Sequence, residues 1–197
     1  KPSDLKKEHF QNVKILHLSG ISLAISDSAC EGSFRAIELA KENGVKISFD
    51  TNLRLKLWSL SRAKALIQHV ASLADFVLPG LDDARQLTGL ENPQTIVDEY
   101  LKMGVEVVAL TLGGDGVLLA TRNGMREQIP GIPVNLVDAT AAGDCFDGGF
   151  LYEWLRTTDL LQAARYGNTA ASLSVQHFGA VSSLPSREKT ELSLRTE

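Results

Sequence analysis

The chain has 197 residues, 44% of them hydrophobic and 22% charged, with a net charge of −4. These values suit one globular domain with a real core, and mild acidity with no long basic run argues against a broad nucleic-acid surface. No apolar run is long enough to cross a bilayer, and residues 1–11 are polar without a signal-peptide pattern, so the expectation is a cytoplasmic protein with no membrane partner.

The first ten residues read as a loop or frayed helix end. Residues 13–18 form a short apolar run, predicted as a buried strand ending at Ser19-Gly20. Helical spacing over 28–43 stops at Asn43-Gly44, a C-cap pair. A strand at 45–49 runs into Asp50-Thr-Asn-Leu-Arg54. A helix over 61–73 precedes a short strand at 76–78 and Pro79-Gly80. Helices over 81–87 and 93–103 stop at Gly89 and Gly104. A strand at 105–110 leads to Thr111-Leu-Gly-Gly-Asp-Gly116, and 117–120 with 126–129 read as a hairpin around Asn123-Gly124. Helices over 143–156 and 160–176 follow, and the tail from Ser182 is polar. No internal repeat, linker or low-complexity tract is present.

Apolar strands alternating with amphipathic helices predict a mainly parallel sheet covered on both faces, in a single domain over 1–197. In such sheets the ligand crevice lies beyond the C-terminal strand ends. The polar motifs fall there: Ser19-Gly20, 50–54, 79–83, 113–116 and 138–144.

The most informative stretch is Asp138-Ala-Thr-Ala-Ala-Gly-Asp-Cys-Phe-Asp-Gly-Gly-Phe150. Ala141, Ala142 and Gly143 let a ligand reach the backbone. If they open a helix, their N–H groups are free donors reinforced by the helix dipole, which is an anion site. Asp144 then stands beside the anion, placed to take a proton from an attacking hydroxyl. Cys30 and Cys145 lie too far apart in sequence to form a disulfide framework or a metal motif, and each reads as a small core residue. Gly113-x-x-Gly116 reads as a tight turn between two strands, as suited to strand reversal as to a close approach of phosphates; no Walker A lysine follows, and no Gly-x-Gly-x-x-Gly dinucleotide fingerprint follows the first strand.

Ala142-Gly143-Asp144 resembles the Gly-Ala-Gly-Asp core of the ribokinase-like (PfkB) carbohydrate kinases, with Ala141 in place of the first glycine. That change is mild at negative φ and costly at positive φ. Phe49-Asp50-Thr-Asn52-Leu-Arg54 with Leu57-Trp58 resembles the Asp-Pro-Asn-x-Arg…Leu-Trp segment of a subgroup holding 2-keto-3-deoxygluconate kinases and fructokinases, with Thr51 for the proline. Ser19-Gly20-Ile21 is similar to a stretch typical of the former. Pro79-Gly80-Leu-Asp-Asp83-Ala84 resembles Pro-Asn-x-x-Glu-Ala, with Gly80 for Asn and Asp83 for Glu.

The resemblance implies a ribokinase-like three-layer α/β/α fold and an ATP- and Mg²⁺-dependent sugar kinase acting on a sugar acid. In it Asp144 is the base, and Ala141, Ala142 and Gly143 form the anion hole. Arg54, Asn52 and Ile21 would bind substrate. Thr111, Gly113, Gly116, Gly143, Asn168, Gly179 and Ala180 would bind ATP. Asp83 would hold Mg²⁺ through water, and Asp138, Thr140, Gly179 and Ser183 resemble a site for a monovalent cation such as K⁺. His177 reads as a surface or nucleotide-edge residue. The resemblance runs from about residue 13 to 184. The family's N-terminal portion, with the first sheet strands, a Gly-rich sugar motif and a β lid, is absent. The expectation is therefore a fragment with half a sugar pocket and little activity alone, and self-association through the lid stays open. Fructokinase and a non-catalytic sugar- or nucleotide-binding relative remain alternatives.

Overall fold

The computed structural model describes residues 1–195; Thr196 and Glu197, the last residues of the tail read as polar, lie outside the described residues. Two short 3-10 turns, Pro2–Asp4 and Lys7–Phe10, precede β1 (Ile15–Ser19). There follow α1 (Ile21–Ala24), α2 (Asp27–Glu42), β2 (Lys46–Asp50), α3 (Leu60–Leu73), β3 (Phe76–Val77), α4 (Leu81–Thr88), α5 (Pro93–Lys102) and β4 (Val107–Thr111). Then come β5 (Val117–Thr121), β6 (Arg126–Ile129), α6 (Ala142–Thr157), α7 (Leu160–Ser174) and α8 (Arg187–Leu194). Strand order follows the chain, β1-β2-β3-β4-β5-β6, and the pairs β1–β2, β2–β3 and β3–β4 are parallel.

Local chemistry sets the helix ends. The Ser26, Ser59, Asn92, Asp159 and Ser186 side chains each accept a backbone N–H in the first turn of α2, α3, α5, α7 and α8. Pro93 sits at the first turn of α5, where its missing N–H is harmless. Gly89 closes α4 in the left-handed conformation, with its N–H on Arg85 O. Two helices differ from the sequence expectation. The single turn α1 is too short to show a period, and α8 occupies part of the tail read as polar. Within α8 only Thr190 is buried, so there was no apolar stripe to find.

The chain divides into two compact units: Lys1–Leu110 with Ala120–Met125, and Thr111–Leu119 with the chain from Arg126 onward. In the first, Ile47, Ser48 and Phe49 of β2 are all fully buried. Consecutive strand residues point to opposite faces, so both faces of the sheet are covered there. Lys46 bridges Asp75 (2.7 Å) and Glu106 (2.8 Å) ahead of β3 and β4, while Asp75 also accepts the Ile47 N–H. In the second unit α6 and α7 lie in close contact: a Cβ on Gly149 would come within 3.1 Å of the Gly167 Cα. This pair sets where the N-terminus of α6 stands. No helix among the described residues is long and apolar enough to cross a membrane.

Candidate active site

In the first unit the candidate substrate loop follows β2. Ser19 and Asp50 are the last paired residues of β1 and β2, so the loop starts at the C-terminal strand ends. Asn52 has φ 30°, a region that asparagine tolerates better than most side chains. Its N–H bonds Asp50 Oδ1 (3.1 Å), and its Nδ2 donates to Ser19 Oγ (2.8 Å). The Leu53 N–H donates to Asp83 Oδ2 (2.8 Å), and Arg54 Nη1 donates back to Leu53 O (2.9 Å). Arg54 is exposed, and Ile21 lies half-buried in α1. Burial pushes the Asp83 carboxyl above the usual aspartate value, opposed by the Leu53 hydrogen bond and the Arg54 charge. Asp83 is thus brought to the Asn52–Arg54 loop, a contact that nothing in the local sequence announces.

In the second unit the decisive element is the start of α6. Ala141 is its N-cap, at φ 61° and ψ 19°, the left-handed conformation. The costly outcome of an alanine at this position is the one realised. The helix opens at Ala142, whose N–H is already bonded to Ala139 O (3.1 Å), while Cys145 N–H makes the first helical bond, to Ala141 O (2.9 Å). The expectation that Ala142 contributes a free amide is corrected by this turn. Among the described residues no acceptor is found for the N–H groups of Gly143 and Asp144. Both residues are exposed, so the Asp144 carboxylate is not packed into the interior. Cys145 is buried, and burial pushes its thiol up, as it does that of Cys30. Neither is set up as a nucleophile.

Beside this helix end lies a cavity of about 410 Å3. Thr111, Gly113, Gly116, Gly143 and Asn168 line it, as does Ala142; Gly179 and Ala180 do not. Its apolar walls come from residues to which the sequence reading gave no part in the site: Ile132, Val134, Leu136, Phe146 and Val175. Two glycines shape the floor. Gly116 has φ 93°, and a Cβ on Gly131 would overlap the Gly114 carbonyl oxygen. The buried Asn168 donates Nδ2 to Pro130 O (3.0 Å), bracing the segment that carries Gly131. Asp144 borders a separate cavity of about 310 Å3, lined also by Tyr152, Tyr166 and Arg187.

Asp138 joins two loops. Its Oδ1 accepts the Thr140 hydroxyl (2.6 Å) and N–H (2.9 Å), and its Oδ2 accepts the Gly179 N–H (2.9 Å). These bonds, the Thr140 hydroxyl first, hold its carboxyl below the usual aspartate value. Ser183 is buried and His177 is exposed. Among the described residues no group of three or more His, Cys, Asp or Glu side chains is arranged to hold a metal ion.

A model of the pfkB family carbohydrate kinases matches residues 1–187. The chain belongs to the pfkB family of carbohydrate kinases. It is 34% identical to the 2-dehydro-3-deoxygluconokinase of Bacillus subtilis over 95% of this chain and 58% of that one. It is 36% identical to a ribokinase of Haemophilus influenzae over 79% of this chain and 49% of the relative. The pfkB chain thus spans about half the length of these curated relatives. A crystal structure of fructokinase from Vibrio cholerae, with fructose, ADP and calcium ion bound, superposes with a TM-score of 0.89 at 31% identity, covering 98% of this chain and 63% of that one. The α/β/α architecture expected of a pfkB member is therefore the one present, with its largely parallel sheet.

Proposed function

We propose that this chain carries the nucleotide site and the catalytic base of an ATP-dependent kinase for a sugar acid, 2-keto-3-deoxygluconate, phosphorylated on its 6-hydroxyl. The observation that carries the reading is the open end of α6: two N–H groups without acceptors beside a cavity of nucleotide size, followed by an exposed carboxylate at Asp144, which borders the smaller cavity.

The chain's own residues fit the group they would hold. The apolar walls suit a purine ring, and the glycine floor, where side chains would collide with backbone, lets phosphates come close. Bound ATP would supply the phosphoryl group, with Mg²⁺ neutralising its charge. Asp83 has one oxygen bonded to Leu53 N–H, leaving the other for a water of the ion's shell; magnesium keeps several waters in such sites. The Asp138 carboxylate already accepts three donors from the chain, so no step is routed through a monovalent cation.

In this account the substrate hydroxyl gives its proton to the Asp144 carboxylate as it attacks. The Gly143 and Asp144 N–H groups, at the positive end of α6, meet the negative charge that develops on the transferred group. Arg54 binds the sugar acid's carboxylate through its planar fork, with Asn52 beside it. The similarity to 2-dehydro-3-deoxygluconokinases supports that substrate. A second reading, fructokinase, is favoured by the fructose-bound neighbour; against it, a neutral sugar leaves Arg54 no carboxylate to clamp. Phosphorylation of 2-keto-3-deoxygluconate, fructose and ribose by the whole protein decides between them. Preference for the sugar acid is expected, and preference for fructose or ribose overturns the assignment.

A further inference from the structure

We propose that Asp83 is a positioning residue: its carboxylate holds the Leu53 amide and so fixes where Arg54 meets the substrate. Three observations converge. The Asp83 Oδ2 to Leu53 N distance is 2.8 Å, joining α4 to the loop after β2 across thirty residues of sequence. Leu53 is buried at 5% exposure, so its N–H has no water to turn to if that acceptor is lost. The Leu53 carbonyl is in turn the acceptor for Arg54 Nη1 at 2.9 Å, so the peptide unit on either side of Leu53 is pinned, once by Asp83 and once by Arg54 itself.

The rest of the loop is held differently. Asn52 is fixed by Asp50 and Ser19, residues at the ends of the strands that launch the loop. Asp83 ties α4 to this loop, and the bond enters one residue before Arg54. Its position in the first turn of α4 does not explain it as dipole compensation, because exposed Asp82 already supplies that charge and pairs with Arg85 (3.5 Å). The role is that of a hydrogen-bond acceptor for the loop, which an uncharged amide can also fill.

That distinction gives the test, made on the whole protein with Asp83→Ala and Asp83→Asn. Asparagine keeps an acceptor oxygen but not the charge. Amide exchange at Leu53 needs no substrate: Asp83→Ala should speed it by about tenfold or more, and Asp83→Asn should retain most of the protection. The kinetic arm rests on the sugar-acid reading and uses 2-keto-3-deoxygluconate with Mg²⁺–ATP. The KM for the sugar acid should rise about tenfold in Asp83→Ala and recover largely in Asp83→Asn, with the Mg²⁺ half-saturation moving less than KM. Unchanged Leu53 exchange in Asp83→Ala overturns the proposal. So does an Asp83→Asn variant that matches Asp83→Ala in both KM and Mg²⁺ half-saturation, since the charge would then be what matters. Failure of the wild type to phosphorylate the sugar acid sinks the substrate reading alone, and Leu53 exchange still decides the part played by Asp83.

Discussion

Replacing Ala141 by glycine should stabilise the fold relative to the same replacement one residue later. Ala141 sits at φ 61° and ψ 19° as the N-cap of α6, whereas Ala142 is the first helical residue. The left-handed conformation costs an alanine about 1–2 kcal/mol that a glycine does not incur. Against this, any alanine-to-glycine change adds unfolded-chain entropy worth roughly 0.4–1 kcal/mol and removes a methyl group. Both residues are half-buried, so these last two effects are similar at the two sites and cancel in the comparison. The stabilities of Ala141→Gly and Ala142→Gly should therefore differ by about 1–2 kcal/mol in favour of the first. For a chain of this size that is about 2–8 °C between their melting temperatures. Urea unfolding of wild type and both variants, read with equal m-values, measures it. Equal destabilisation by the two substitutions would refute the claim that strain is stored at the mouth of α6.

Gly131→Ala should force the Gly113–Gly116 turn off its neighbour, because the new methyl overlaps the Gly114 carbonyl. Overpacking of this kind costs about 1–3 kcal/mol, visible in urea unfolding, and calorimetry should show weakened ATP binding; wild-type values for both would count against the nucleotide floor described above. Asp138 supplies a pH dependence of definite sign. Its folded carboxyl titrates below the ordinary value of 3.8, so its contribution is present above the unfolded value and is lost as pH falls through the lower folded one. The stability gap between wild type and Asp138→Asn should accordingly close in acid, and a gap that stays constant with pH would show that the carboxylate charge is irrelevant to joining the two loops.

Much of the scaffold was readable because its signals are local. Gly89 and Asn43-Gly44 announce helix stops, and the apolar run of β4 is short and uninterrupted. The small-residue turn that opens α6 was legible for the same reason, since small residues before an acid are visible in one dimension. The remainder depends on contacts distant in sequence or on conformation. Nothing in Ala141 declares a positive φ; the sequence only posed the alternatives. The Ala139–Ala142 turn that occupies one of the expected amides is a backbone event with no side-chain signature. The Asp83–Leu53 bond joins residues whose types suit many other roles. The cavity wall at Ile132, Val134 and Leu136 lies in an irregular segment where periodicity cannot speak, and α8 lacks the apolar stripe that marks a packed helix.

The central claim is that the Asp144 carboxylate takes the proton of the substrate hydroxyl at an open helix end, and steady-state turnover of Asp144→Asn beside its ATP affinity tests it most directly. The expected result is a fall in kcat of about 10²–10⁴-fold with the Kd for ATP within about threefold of wild type. Turnover retained within about tenfold, or loss of nucleotide binding in step with loss of rate, would contradict it.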